Sequence, residues 1–381
     1  MLDLSDLPVI DDHAHMFGPD AKDANPVRSF TMLEKPKDIE HQLLYHCAAR
    51  ALAKLYGCKP DEEEIFKLRK AKTKNNFEEF VADIFQKANI EALIVDPGYP
   101  PTITVEEFQD IVPVKVYSVE RIDEHLFDEV MGESNTFDDV LDTFHEQLDQ
   151  WFKKKDVVGL KTITAYITGL NIPRIDRDRA AEIFKEFQED KKRWIVEFGF
   201  GQKHYIGPFE MRIFLFWEAL ARCAEKKVPF QIHTGDGDMD MKDMKEASAL
   251  LLQKSVLNDE IAKQVELVLV HSSYPEVEFA SYLSYVYTNV HIDLSHLNPF
   301  LNVLVGRKIE EAFMWTPFSR ILYGTDAYGI PEFYWFGVMN FKKELERVLG
   351  YLVARDALDE DYAYKAAGMI LSENAKKLYD L

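Results

Sequence analysis

The chain has little cysteine. Three occur in 381 residues, Cys47, Cys58 and Cys223, with no CxxC pair among them. An odd, scattered set makes no disulfide framework, so a reducing, cytoplasmic compartment is expected. Long apolar runs are also lacking. No stretch reaches the roughly 18 apolar residues that a membrane-spanning helix needs. The opening MLDLSDLPVIDDHAH has neither the basic nor the apolar region of a secretory signal. Positive charge is in deficit, 45 Lys and Arg against 66 Asp and Glu, for a net charge of −21. Such a surface repels phosphate backbones and anionic lipid, which argues against nucleic acid or membrane as a partner. Pro/Gly/Ser-rich linkers, internal repeats and low-complexity tracts are absent, so no sequence feature divides residues 1–381 into separate domains.

What is present is an alternation. Short β-branched runs are followed by longer stretches of helical period, the pattern of βα units around a parallel sheet. Eight strands are expected: Val9–Asp12, Ala92–Asp96, Val112–Val119, Val157–Thr164, Phe230–His233, Leu267–His271, Val290–Leu294 and Ile321–Tyr323. Runs such as EALIV and VELVLV are apolar on both faces, as barrel strands must be. The reading is an α/β protein, a single (β/α)8 TIM barrel. The gap from Met16 to Glu91 is too long for one βα connection and carries helical period. An insertion after a barrel strand projects from the active-site face, so residues 16–91 are expected to form a helical lid. Asp359 is placed to cap the last helical segment.

The chemistry begins at VIDDHAH. Residues i and i+2 of a strand share a face, so His13 and His15 project together. Two imidazoles on one face make half of a tetrahedral metal site. Four further strands end on groups of the same kind: Lys161 in VVGLKTITAY, His233 in PFQIHTGDGD, His271 in ELVLVHSSYP and Asp326 in RILYGTDAYG. Any one of these alone reads as a satisfied core residue or a cap. Five strands delivering ionisable groups to one barrel mouth is costly unless a cation pairs them. A divalent metal, zinc foremost, is therefore expected, with one or two ions per chain. Such an ion makes hydroxide available near neutral pH. Asp326 can touch the metal, take the proton from water and pass it to the leaving group. Lys161 sits in an apolar strand, where burial leaves a neutral, nucleophilic amine able to take up carbon dioxide. The competing reading pairs it with an acid such as Asp96 or Asp293.

The ordered set VIDDHAH, GLKTITAYITGL, QIHTGDGD, VLVHSSYP and ILYGTDA resembles the amidohydrolase superfamily. Within it, the likeness is to the amidohydrolase-2 group, which includes the amidohydrolase domain of nodulin/glutamine-synthetase-like proteins. The resemblance implies that His13, His15 and Asp326 hold one metal. It implies that His233 and His271 hold a second, or that His271 stays free as a catalytic residue. It matches Lys161 to the position of a carboxylated lysine that bridges two metals. Two positions depart from the pattern: Ile167 stands where relatives carry arginine, and Asp236 where an apolar residue is usual.

The expected activity is metal-dependent hydrolysis of a C–N or C–O bond, an amide or lactone, in a small molecule. The alternative is a metal-dependent non-oxidative decarboxylase of the same group, with one ion and His271 as proton donor. A non-catalytic barrel would not retain such a ligand set. Tyr166 and Arg174 follow the fourth strand and can reach substrate, with a surface ion pair the competing role for Arg174. His41 and His46 are assigned to the lid surface, and His204 to a solvent-exposed loop. His291 and His296 flank the seventh strand. Asp236, Asp238, Asp240 and Asp243 imitate a calcium loop, but its twelfth position is Ala247, which offers no oxygen. A homo-oligomer is compatible with the sequence.

Overall fold

A computed structural model describes residues 2–31, 37–74, 76–100, 102–198, 202–237 and 243–381. Asp238 and Asp240 of the acidic loop lie outside the described residues. Eight parallel strands follow one another in chain order: β1 (Val9–Ala14), β2 (Ile90–Val95), β3 (Lys115–Arg121), β4 (Val157–Thr162), β5 (Phe230–His233), β6 (Leu267–Val270), β7 (Val290–Asp293) and β8 (Ile321–Leu322). The fold is a (β/α)8 barrel. All eight expected strands are found, with two shifted starts. β2 begins at Ile90, two residues before Ala92, and β3 at Lys115, three residues after Val112. Pro113 has no N–H to give a sheet, and the Gln109 side chain instead holds the carbonyl of Val114 and the N–H of Val116.

The chain packs as two compact units, residues 1–117 with 293–381, and residues 118–292. In the first, β1 pairs in parallel with β2, from Val9 opposite Ile90 to Ala14 opposite Val95. On its other side β1 meets the β8 segment, where Asp12 N–H donates to the Tyr323 carbonyl (2.9 Å). The C-terminal segment, expected as one helix, is Glu360–Gly368, a π turn at Met369–Glu373, and Asn374–Tyr379. The π turn spares the Ile370 carbonyl, which accepts from Tyr323 N–H at 3.1 Å. Asp359 caps this segment through the Tyr362 N–H, as expected.

The described residues between 16 and 89 carry mostly helices, but not all of this stretch is insertion. The Phe77–Ala88 helix packs on Pro331–Ala354 and leads directly into β2, so it serves as the first barrel helix. The added part lies before it and includes the helices Leu43–Tyr56 and Glu62–Thr73. Its leading segment reaches the β8 loop. Phe30 stacks edge-on against Phe333 and Phe336, and Tyr328 donates to the Thr31 carbonyl. Arg69, fully buried, anchors the rest. It pairs through Nε and Nη2 with buried Glu332, and its Nη1 reaches the carbonyls of Lys22 and Ala24.

In the second unit β4, β5, β6 and β7 run in register, with Phe230 opposite both Leu160 and Leu267. One element was not expected. Ile195–Phe198 and Gln202–Tyr205 form an antiparallel pair where the sequence suggested a loop. His204, expected in solvent, is buried on this pair. Its Nδ1 lies 2.6 Å from Asp128 Oδ2, while Tyr205 N–H donates to Asp128 Oδ1. The hydrogen bond to Asp128 raises the His204 pKa above its ordinary value, although burial opposes it. A raised histidine pKa means that the folded chain holds the proton more tightly. The pair's contribution is therefore complete below about pH 6.5 and fades as pH rises through the folded value. His204→Gln should lower stability by about 1–3 kcal/mol at pH 6 and by less at pH 8. Urea midpoints at the two pH values measure this, and an equal loss at both would contradict it. Among the described residues no helix is long and apolar enough to cross a membrane.

Candidate metal centre

Each unit carries one group of the expected residues. In the first, His13 and His15 stand two apart at the end of β1, with ring centroids 5.4 Å apart. Their Nε2 atoms lie 3.5 and 3.2 Å from Asp326 Oδ1. The His15 ring is set by its other nitrogen: Nδ1 donates to the Asp96 carbonyl at 3.2 Å, leaving Nε2 as the lone-pair face. Asp96, His13 and His15 also bring ligand atoms within 4.8 Å of one another. Asp96 was not singled out as a ligand from the sequence, although EALIVDPGYP ends an apolar strand on a carboxylate, as ILYGTDA nearly does. One Asp96 oxygen accepts from the Gly98 N–H at 2.9 Å.

Asp326 has φ of 57°, in the left-handed region that non-glycine residues seldom occupy. Its own N–H donates to the His13 carbonyl (2.8 Å), and His15 N–H to the Ala327 carbonyl (2.9 Å). Asp11, buried on β1, accepts from Thr325 N–H and Oγ at 2.9 and 2.5 Å. Burial pushes the Asp11 carboxyl up to about 8; the Thr325 bonds oppose this, and the Asp293 charge adds to it. His296, buried beside Phe300 with centroids 4.7 Å apart, donates its N–H to the Thr325 carbonyl.

In the second unit His233 ends β5 and His271 follows β6. Both are buried, with ring centroids 4.6 Å apart. His233 Nε2 donates to the Asp236 carbonyl at 3.0 Å, which leaves Nδ1 as the unprotonated nitrogen. His271, Ser272 and Ser273 all have positive φ, of 66°, 49° and 56°. Three left-handed residues in succession need restraint. Thr234 Oγ accepts from Ser273 N–H at 2.8 Å, and Ser273 Oγ accepts from Ala249 N–H at 2.9 Å. Gly235, between these loops, has φ of 79°, and a Cβ there would lie 2.5 Å from the Tyr274 backbone. Only glycine suits the T-G step of HTGDGD.

Lys161 is buried at 1% exposure. It is in register with Arg121 on β3 and Gln231 on β5, so it shares a face with Gln231 and His233. Tyr166 lies against His233, centroids 4.6 Å apart. Ile167, at the departed position, packs with Ile163 and Ile206 beneath Tyr166, forming an apolar wall. Arg174 is exposed, bonded twice to Asp259 (2.7 and 3.0 Å) and stacked 3.7 Å over the Trp217 ring. The ion pair to Asp259 is the contact the structure shows for it. His41 and His46 are exposed, and His291 bonds to Glu266 at 2.9 Å.

One family model, described as Amidohydrolase (Amidohydro_2), matches residues 177–381, more than half of the chain. The chain belongs to the amidohydrolase family. The family and the candidate ligand groups together support a divalent metal cofactor. Among curated proteins, this amidohydrolase is similar to Protein fluG of Emericella nidulans, at 31% identity over 227 residues. That match covers 59% of the chain and only 26% of the relative, so the chain spans about a quarter of the curated protein. Among solved structures it is similar to a Lactobacillus casei ATCC 334 protein designated a metal-dependent hydrolase. The TM-score is 0.85 at 25% identity, covering 100% of this chain and 98% of that one. A uronate isomerase of Thermotoga maritima gives a TM-score of 0.65 at 14% identity, over 98% and 95% of the two chains, and shows the fold alone.

Proposed function

We propose that this amidohydrolase hydrolyses a C–N or C–O bond, an amide or lactone, in a small molecule, using zinc. One observation carries the reading: two imidazole nitrogens converge on a single carboxylate oxygen, at 3.2 and 3.5 Å. A charge-assisted N–H···O bond is shorter, about 2.7–2.9 Å. Two donors each about 2.0–2.1 Å from a tetrahedral ion lie roughly 3.3 Å apart. The spacing suits a shared cation better than a direct ion pair, and the His15 tautomer fixed by Asp96 suits it too. His13, His15 and Asp326 would hold the first ion. His233, His271 and a carboxylated Lys161 would hold a second. The four-carbon lysine stem can cover the two-residue offset to His233, about 6.6 Å along a strand.

A bound ion lowers the pKa of its water to about 7 and polarises the scissile bond. The remaining work falls to the chain. Asp326 accepts the proton of the attacking water and returns it to the leaving nitrogen or oxygen. The Asp96 carbonyl keeps His15 in one tautomer. Tyr166, against His233, lines the substrate side, and Ile163, Ile167 and Ile206 give it an apolar floor. The scattered cysteines, all free, support a cytoplasmic setting.

Elemental analysis tests the assignment. His13→Ala/His15→Ala should lose about one metal ion per chain while circular dichroism stays that of a folded barrel; full metal content in that variant would refute it. A wild-type content near two, with a carbamate carbon signal after labelling with 13C-bicarbonate, is expected. A content near one without that signal would shift the reading to the decarboxylase, with His271 as proton donor.

A further inference from the structure

Resting on the metal reading above, we propose that Asp11 and Thr325 form a positioning pair that sets Asp326 for the ion held with His13 and His15. Asp326 needs such a device, because its left-handed φ of 57° is unfavourable for an L-residue with a Cβ. Neighbouring bonds must hold it there. Thr325 supplies them from both ends. Its N–H and hydroxyl donate to the two oxygens of Asp11, and the same hydroxyl accepts from Ala327 N–H at 3.0 Å. Asp326 is thus bracketed by two residues tied to one hydroxyl, which is itself tied to β1.

The tie is aimed. Asp11 lies on β1 two residues before His13 and four before His15, which follows the strand's last residue. The strand that leads to both imidazoles therefore also carries the anchor of the turn that carries the carboxylate. A shift of β8 against β1 would otherwise change the Asp326 to histidine distances directly. Thr325 is held in its rotamer from behind. Its Cγ2 faces Gly337 of the Pro331–Ala354 helix, where an added Cβ would come within 2.7 Å. Asp11 and Thr325 are both fully buried, so water does not compete for these bonds.

Outer partners of metal ligands commonly change metal affinity 10–100-fold when removed. Thr325→Val keeps the shape and deletes the hydroxyl; Thr325→Ser keeps the hydroxyl. The probe is Zn2+ alone, titrated against a chromophoric chelator. The affinity followed is that of the ion that His13→Ala/His15→Ala loses. Thr325→Val and Asp11→Ala are expected to weaken it about 10–100-fold, and Thr325→Ser by less than about threefold. The double variant Asp11→Ala/Thr325→Val should be no weaker than the worse single one, because the two act as a unit. A purely structural pair would lower the melting temperature of the metal-free protein without moving the zinc affinity of the folded fraction. A folded Thr325→Val with affinity within threefold of wild type overturns the proposal. Should Asp11→Ala fail to fold, the valine and serine pair decides alone. If His13→Ala/His15→Ala keeps its zinc, the metal assignment itself is at fault. If that variant loses zinc and Thr325→Val keeps it, only the positioning role falls.

Discussion

Asp326→Asn should lower turnover about 10²–10⁴-fold on any substrate this enzyme hydrolyses, the range of a lost general base. The melting temperature of the same variant should stay within a few degrees of wild type. The asparagine keeps the backbone that matters to the fold: the N–H to the His13 carbonyl and the left-handed turn, which asparagine tolerates as well as aspartate. It keeps a ligating oxygen facing His13 and His15. It loses the negative charge and the ability to carry a proton between water and leaving group. Metal content is therefore expected to fall less than turnover. An asparagine variant that retains activity would mean that another group moves the proton, and His271 would be the next candidate.

The largest stability effect is expected at Arg69, in the added segment before the first barrel helix. Its guanidinium and the Glu332 carboxylate are both fully buried, and Tyr56 OH adds a 2.6 Å bond to the same carboxylate. Replacing one partner of a buried pair strands the other charge, at a cost of about 3–5 kcal/mol. Arg69→Met should show that loss in the urea midpoint. The double variant Arg69→Met/Glu332→Leu should recover much of it, since the stranded carboxylate is gone. A single variant within about 1 kcal/mol of wild type would show that the pair does not hold the insertion. The substitution also removes the Arg69 bonds to the carbonyls of Ala24 and Lys22, the latter keeping its bond from the Thr73 hydroxyl. The segment leading to Phe30 and Thr31, and through them the β8 loop, should then exchange amide hydrogens faster.

Much was determined by sequence alone. A barrel strand buried on both faces needs a continuous apolar run, so eight such runs located eight strands. Period-two geometry put His13 and His15 on one face with no tertiary information, because pleating is local. Asp359 as a cap was legible for the same reason. Other features depended on distant partners. The start of β3 moved because the Gln109 side chain satisfies the backbone around Pro113. The π turn at Met369–Glu373 exists where Tyr323 needs the Ile370 carbonyl, a residue 47 positions away. His204 looked like a solvent histidine because its partner, Asp128, lies 76 residues earlier. The Arg174 contacts to Asp259 and Trp217 likewise join residues 85 and 43 positions apart. Strand runs, caps and the H-x-H pair are set by neighbours a few residues apart, which any reading of the chain can see. Which nitrogen of His15 faces Asp326, and what holds Asp326 in a left-handed turn, depend on Asp96, Asp11 and Thr325. Those contacts join residues up to 314 positions apart, and only the folded chain brings them within bonding distance.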